Sequence, residues 1–312
     1  MILPEKAKQP TMYFIGVTTG QSSVMKLFPL WAKYLGLENA VLKGIDIEIR
    51  ADESEYKKCV DFIKQDELSL GALVTTHKID LYNATKNEFD YEDPYAAMLG
   101  EVSSISKKDG QLRGHAKDPI SSGLALEAFV PKNFWDKNGE VFIMGAGGSA
   151  LAISTYIVEN KHGGTLPKKI IISNRSEARL QSAKEILSKL DTDVTFEYHL
   201  CPKPEDNDAI LHNLPSNSVV INATGLGKDR PGSPLTDNAL FPKESLVWEL
   251  NYRGELDFMH QALRQEGTQD LHVEDGWHYF IQGWAQVIAE VFHINLDNHI
   301  DELQEIAEEI RQ

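Results

Sequence analysis

Val141-Phe142-Ile143-Met144-Gly145-Ala146-Gly147-Gly148-Ser149-Ala150 is the stretch on which the fold turns. A run of apolar residues without polar alternation predicts a strand over 140–144 of the kind buried on both faces of a parallel sheet. The glycines follow at once, and a helix is expected from Leu151 to about Asn160. In that frame Gly145, Gly147 and Ala150 match G-x-G-x-x-G/A. The first glycine makes a tight turn, the second admits backbone to a pyrophosphate, and the third small residue lets helix and strand pack closely. Unpaired N–H groups at the helix start then face the anion. The competing reading is a glycine turn that serves packing alone.

Working outward, short β-branched runs alternate with helical stretches, the pattern of an α/β fold. Strands are expected at 169–173, 218–222 and 246–250, with a helix over 177–190. Strand, glycine turn, helix and strand make the βαβ unit of a Rossmann sheet. Upstream, strands are expected at 12–16, 44–49 and 71–75. Helices are expected through Leu27, Leu30, Trp31 and Tyr34 to a stop at Gly36, then over 56–65 and 118–129. Beyond Gly276 the chain turns helical again, and an amphipathic helix through Ile300, Leu303, Ile306, Ala307 and Ile310 closes it. The expectation is two domains: residues 1–118 completed by 276–312, and a dinucleotide-binding Rossmann domain over 119–275.

Composition narrows the partners. The 312 residues hold 31 Lys plus Arg against 47 Asp plus Glu, a formal net charge of −16. Such a chain repels phosphate backbones and anionic lipid at long range, which argues against nucleic-acid and membrane partners. No apolar stretch approaches the ~20 residues that span a bilayer. Residues 1–10 are polar and do not read as a signal peptide. Cys59 and Cys201 are the only cysteines and form no CxxC pattern, so two free thiols in a reducing cytoplasm are expected. His260, His272, His278 and His293 lack metal-ligand spacing, and no metal is expected. The oligomer is left as monomer or homodimer.

The end of the next strand selects the cofactor. An NAD site sets an acidic residue there to accept from the ribose 2′-hydroxyl. This chain has Asn174-Arg175-Ser176, with Arg179 one turn on. A guanidinium stacks on adenine and clasps a 2′-phosphate, so NADP is expected rather than NAD. The alternative has Arg175 merely capping the sheet edge.

Taken together, these pieces resemble the shikimate dehydrogenase family, with motifs in the family's order from about Gly16 to Phe292. Gly145, Ala146, Gly147, Gly148, Ser149 and Ala150 are similar to its GAGGAA turn, and Asn174-Arg175-Ser176 to its NRT clamp. Asn222-Ala223-Thr224 with Gly227 resembles the INATP-x-G segment beside the nicotinamide. Glu249-Leu250-Asn251-Tyr252 stands at its D-x-x-Y strand end, and Gly276 with Gln282 resembles its G-x-x-M-L-x-x-Q helix. Val74-Thr75-Thr76-His77-Lys78 looks like a shortened VT-x-P-x-K. The run from Asp109 to Asp118 resembles DG-x-L-x-G-x-NTD.

The resemblance implies a substrate domain and a Rossmann domain with a cleft between them. It also implies NADP-dependent hydride transfer at a secondary hydroxyl or ketone of a shikimate-like or related hydroxy acid, in aromatic amino acid biosynthesis. Oxidising an alcohol requires a base within hydrogen-bond reach of the hydroxyl. The resemblance assigns that general acid/base to Lys78, with Asp118 orienting the hydroxyl; on composition alone Lys78 is a surface lysine after a strand. The implied cofactor contacts are the glycine turn, Asn174, Arg175, Ser176, Arg179, Asn222, Ala223, Thr224, Gly227 and Leu250. The implied substrate contacts are Ser22, Thr75, Ser103, Tyr252 and Gln282.

The departures lie on the substrate side. Val24 stands where the second serine of an S-x-S turn belongs, Leu73 replaces an asparagine, Ser103 replaces another, and Lys117 replaces the NTD threonine. A buried substrate group left without a polar partner costs about 1–3 kcal/mol. The same reaction on a different, related hydroxy compound is therefore expected, with Lys117 either a new anion contact or a solvent-facing lysine. A catalytically altered, nucleotide-binding regulatory module is the alternative; a folate-type dehydrogenase fits the NRS and INAT segments less well.

Overall fold

The computed structural model describes residues 1–159, 163–228 and 230–311. The chain forms two compact units, one of Met1–Lys117 with Ile281–Gln312, the other Asp118–Phe280.

The first unit opens with β1 (Thr11–Gly16), buried along its whole length, and α1 (Val24–Tyr34). β2 (Val41–Asp46) and α2 (Glu53–Gln65) follow; Asp52 caps α2 by accepting from the Ser54 N–H at 2.9 Å. That cap, with Glu53 and Glu55 in the first turn, starts the helix three residues before Tyr56, where apolar periodicity alone begins it. β3 (Ser69–Val74) leads into α3 (Lys78–Thr85), and β4 (Tyr91–Glu92) into α4 (Pro94–Leu99). β5 (Ser104–Lys108) and β6 (Gln111–His115) form a hairpin that the sequence reading missed, because its exposed half carries no apolar alternation. The sheet order is β2-β1-β3-β5-β6-β4. β2 lies at Val41–Asp46 rather than at 44–49, because the register is set by its parallel pairing with β1 from Thr11↔Val41 onward.

The second unit begins with α5 (Asp118–Glu127), β7 (Val141–Met144) and α6 (Gly148–Glu159). The expected end of the last helix, Asn160, lies outside the described residues. β8 (Lys169–Asn174), α7 (Glu177–Leu187), β9 (Thr195–Leu200) and α8 (Pro204–His212) come next. β10 (Val219–Asn222), β11 (Leu246–Glu249), α9 (Asp257–Leu263), α10 (Glu266–Gln269) and β12 (His272–Glu274) complete the alternation. The helices over 118–129 and 177–190 thus stop two and three residues short of expectation, at Glu127 and Leu187.

This sheet is parallel throughout, in the order β12-β11-β10-β7-β8-β9. Counting from β7, that is the doubly wound order 3-2-1-4-5-6, whose direction reverses between β7 and β10. Phe142, Met144, Val220, Val247, Phe241 and Phe258 belong to one core on its face. The sheet's central strands are buried on both faces, which is why they read as unbroken apolar runs.

α11 (Trp277–Phe292) and α12 (Ile300–Arg311) end the chain. Trp284 packs edge-on against Phe14 of β1 with ring centroids 4.9 Å apart. α12 lies on α1, where Trp31 Nε1 donates to the Leu303 carbonyl at 2.8 Å and Leu303 and Ala307 are fully buried. No helix of the described residues is long and apolar enough to cross a membrane.

Candidate active site

In the second unit the loops after β7, β8, β9 and β10 converge on a cleft of about 590 Å³ at the carboxyl ends of the strands. That is the crevice where open α/β sheets bind ligands. Gly145 sits at φ +116°, and a Cβ there would lie 2.5 Å from the Ala223 carbonyl oxygen, so only glycine fits. Gly147 differs: a Cβ there would meet nothing within 4 Å. Its lack of a side chain answers no packing need and leaves the cleft open to a phosphate at the start of α6, while Ala150 is fully buried against the fold. The turn therefore fits a dinucleotide, with the two glycines doing different jobs.

Charge marks the same cleft. Arg175 and Arg179 line it, and so do Lys203 and Arg230, which the sequence reading missed. Among the described residues no carboxylate lines it, although the chain carries a net −16. Asn174 Oδ1 accepts from the Ser176 N–H at 2.9 Å, which shapes the turn that carries Arg175. Lys203 escaped notice because β9 did: the carboxyl end of a third parallel strand faces the same crevice, and recognising β9 in Phe196, Tyr198 and Leu200 identifies it.

Asn222 ends β10, and Ala223 and Thr224, which follow it, line the cleft. Asn222 is fully buried; its Oδ1 accepts from Thr224 Oγ1 at 2.6 Å and from the Thr224 N–H at 3.1 Å. Its Nδ2 donates at 2.7 Å to Glu249 Oε2, the last residue of β11. Glu249 Oε1 accepts from both the backbone and the side-chain nitrogen of Asn251, at 2.8 and 2.7 Å. Burial pushes this carboxyl up to about 7, against the pull of those three donors. Gly148, Ser149, Gly227 and Leu250 stand behind the walls: the first two begin α6, the Gly227 N–H donates to the Arg230 carbonyl, and the Leu250 N–H donates to the Asn222 carbonyl. Tyr252 is half-buried, 4.6 Å from Phe280 and 5.4 Å from Trp277 between ring centroids.

In the first unit the candidate substrate residues gather at the carboxyl end of β3. The Thr75 N–H donates to the Ile15 carbonyl, and the Val74 N–H to the Ser103 carbonyl. Lys78 does not trail a strand in a loop; it is the first residue of α3, and its carbonyl accepts from the Val102 N–H at 3.2 Å. Thr75, Lys78 and Ser103 are thus tied together through their backbones. Ser22 closes the turn before α1, its N–H on the Thr19 carbonyl, and Val24 is fully buried as the first residue of that helix. Gln282 is buried in α11.

The shortened approach to Lys78 is closed by an unusual turn. The His77 N–H donates to the Thr75 carbonyl across Thr76, whose φ is +58°. An i→i+2 bond around a residue with positive φ is the rarer, strained γ-turn. His77 holds it in place. Its Nε2–H donates to the Ile47 carbonyl at 2.9 Å, which leaves Nδ1 to accept from Tyr56 Oη at 3.2 Å. The ring is buried, so both bonds stand where water cannot replace them. A buried histidine thereby fixes the turn that leads into Lys78.

Two side chains singled out on the substrate side already have partners within the fold. Lys117 Nζ meets Glu290 Oε2 at 2.6 Å, which takes one of its three N–H donors. Ser103 Oγ accepts from the Lys117 N–H at 2.7 Å, so this hydroxyl braces the backbone that leads to Asp118. Asp118 itself is buried and begins α5 in the second unit. Cys59 and Cys201 are buried free thiols, and burial pushes them up to about 12 and about 11.

No family model matches the chain. A shikimate dehydrogenase (NADP(+)) of Streptococcus thermophilus is 31% identical over 234 residues, which cover 74% of this chain and 76% of that protein. The chain belongs to the shikimate dehydrogenase family. Its reaction class is accordingly that of an oxidoreductase acting on a CH–OH group, and the α/β fold expected from the glycine turn is present. A shikimate 5-dehydrogenase of Listeria monocytogenes, solved with shikimate and NAD, superposes with a TM-score of 0.73 at 20% identity over 98% of this chain and 99% of that one. A 5-ketofructose reductase of Gluconobacter superposes with a TM-score of 0.70 at 19% identity over 97% and 99%. At such identities the likeness concerns the fold. Nothing in the geometry or among these relatives favours a regulatory module that lost catalysis.

Proposed function

We propose that this member of the shikimate dehydrogenase family is an NADP-dependent oxidoreductase that interconverts a secondary hydroxyl and a ketone on a shikimate-like or related hydroxy acid. The cleft at the sheet's switch point carries the cofactor reading, with four cationic side chains and no carboxylate among its described walls. The second unit is then the NADP-binding domain and the first the substrate-binding domain. When bound, NADP accepts or returns the hydride.

The chain's own residues do the rest. Gly145 and Gly147 let backbone N–H groups approach the pyrophosphate, and Arg175, Arg179 and Lys203 hold the 2′-phosphate as charge-assisted donors. Ala223 and Thr224, braced by Asn222 and Glu249, border the same cleft. Lys78 exchanges the proton of the substrate oxygen and Asp118 orients that hydroxyl; the family pattern, matched at Val74, Thr75, Lys78 and Asp118, supports both roles. Thr75, Ser103, Ser22, Tyr252 and Gln282 are assigned to substrate. The replacements at Val24, Leu73, Ser103 and Lys117 favour a related hydroxy acid over shikimate itself, because the grip on ring hydroxyls and carboxylate is altered while the cofactor turn is not. Its two buried thiols and acidic surface suit the cytoplasm.

The deciding experiment follows NADPH formation over a panel of cyclic and acyclic hydroxy acids and polyols that includes shikimate and quinate. NADP-linked turnover of at least one panel member, with weaker turnover by NAD, is the expected result. A protein that binds NADP and reduces or oxidises nothing on the panel would overturn the reading.

A further inference from the structure

A second pocket, of about 550 Å³, lies wholly within the first unit, and no step of the proposed reaction uses it. The strand period of two builds one wall. Arg113 and His115 of β6, with Lys117 just beyond, line the pocket, while Leu112 and Ala116 are buried in the core. The last turns of α11 supply the other wall through Glu290 and His293, and Lys108 stands at the hairpin rim.

The two carboxylates that line this pocket are already committed. Glu290 Oε1 accepts from Ser106 Oγ and His115 Nε2, each at 3.1 Å, and Oε2 takes Lys117 Nζ. Its carboxyl is held far below the usual range, chiefly by His115 and, against burial, by Lys117. Asp93 Oδ1 accepts from the Ala96 and Ala116 N–H groups at 2.7 and 3.2 Å, and Oδ2 stands 3.7 Å from His115 Nδ1. Burial draws His115 down, but the Asp93 and Glu290 carboxylates outweigh it and the imidazole ends above its ordinary value.

The donors, by contrast, are left over. The Arg113 guanidinium lies over the Tyr91 ring, 4.2 Å from its centroid, and no acceptor among the described residues meets it; its Nε is buried without a partner. Lys117 has spent one of three N–H donors on Glu290. Lys108 is exposed with no acceptor among the described residues, and His293 has given its Nε2–H to the Lys107 carbonyl. Arg113, Lys108 and Lys117 thus keep N–H donors to spare, and with two carboxylates against three such cations the local charge is positive on a chain of net −16. An arginine stacked on an aromatic ring presents its N–H edge in the fixed fork that matches a carboxylate or phosphate.

We propose that this pocket is a binding site for a small oxyanion, a carboxylate or phosphate group, gripped by Arg113 and Lys108 with Lys117 as the third donor. Glu290 acts as the internal competitor that holds Lys117 and His115 until the ligand arrives. The site is separate from the cation-lined cleft of the second unit and stands whether or not the catalytic assignment does.

The test is calorimetric titration of the NADP-saturated protein with malonate and, separately, inorganic phosphate, at constant ionic strength maintained with chloride. Saturating NADP blocks the other anion-attracting cleft. Saturable binding of at least one probe is expected, and the tighter of the two assigns the carboxylate or phosphate source. Arg113→Gln with Lys108→Gln should weaken it tenfold or more, with the exposed Lys33→Gln as a control that leaves it unchanged. Glu290→Gln should tighten it several-fold, a gain that a merely damaged fold does not produce. Absence of saturable binding overturns the proposal, and so does binding that survives the Arg113→Gln/Lys108→Gln change or weakens in Glu290→Gln.

Discussion

The two units treat their ligands by different physical means. In Asp118–Phe280 the frame of the nucleotide cleft is built from backbone, a glycine at φ +116°, helix starts and strand ends, each set by residues close together in sequence, with cationic side chains added at its rim. In the first unit, the candidate substrate face depends on side chains from the turn before α1, the end of β3, the approach to β5 and α11, which lie far apart along the chain. By the motif resemblance, the expected departures fall on the side-chain-built face, at Val24, Leu73, His77, Ser103 and Lys117, and spare the backbone-built turn. A backbone cradle tolerates little except glycine, and one cofactor serves many substrates. Side chains on strand ends can be exchanged singly, and each exchange alters which molecule is gripped.

The sharpest way to break this contrast is Lys78→Ala. Removing a general acid/base costs about 10²–10⁴-fold in turnover. The expected result is a loss of that order by NADPH absorbance, with NADP affinity unchanged by calorimetry; retained turnover would remove Lys78 from the chemistry.

Glu249 joins the cofactor cleft to pH. Its carboxyl, raised to about 7 by burial, binds a proton in the folded protein between about pH 4.5 and 7 that the unfolded chain has released. Its contribution is therefore full below about 4.5 and lost as pH rises through 7, a change of up to about 3 kcal/mol. Urea unfolding across pH 4.5–8 should show this decline, and Glu249→Gln should flatten it. A wild-type profile unchanged by the substitution would indicate that Glu249 stays ionised.

On the cofactor side, Arg175→Ala removes a charge-assisted clasp worth about 1.5–3 kcal/mol. NADP affinity should fall roughly ten- to hundredfold while NAD affinity holds, as calorimetry with both nucleotides would establish. Equal losses for the two would show that Arg175 only caps the strand. Lys203→Ala should give a weaker version of the same selectivity loss.

The smallest expected effect tests the substrate side. His77→Ala removes two buried hydrogen bonds from the γ-turn before Lys78, each worth about 0.5–1.5 kcal/mol net. Turnover should fall about tenfold at most, and the melting temperature should drop with it. Loss of stability without loss of turnover would mean that the turn braces the fold and leaves Lys78 where it was.

Much of this was legible from local chemistry. Residues 141–150 announce a strand, a glycine turn and a helix, because burial on both faces and the need for φ > 0 leave marks within ten positions. Arg175, with no carboxylate at 174–176 where the strand ends, likewise points to NADP. What lies far apart in sequence was hidden. β9 and the β5–β6 hairpin alternate weakly, so Lys203 and the Arg113–His115–Lys117 wall could not be assigned to a pocket. Lys117 illustrates the limit best: its sequence position suggests a substrate anion, yet Glu290, 173 positions away, holds it. Local sequence determines where the backbone must turn and what sort of ion its strand ends favour. Only the folded chain decides which opposite charges meet, since pairing across such separations is settled by packing and not by any pattern along the polypeptide.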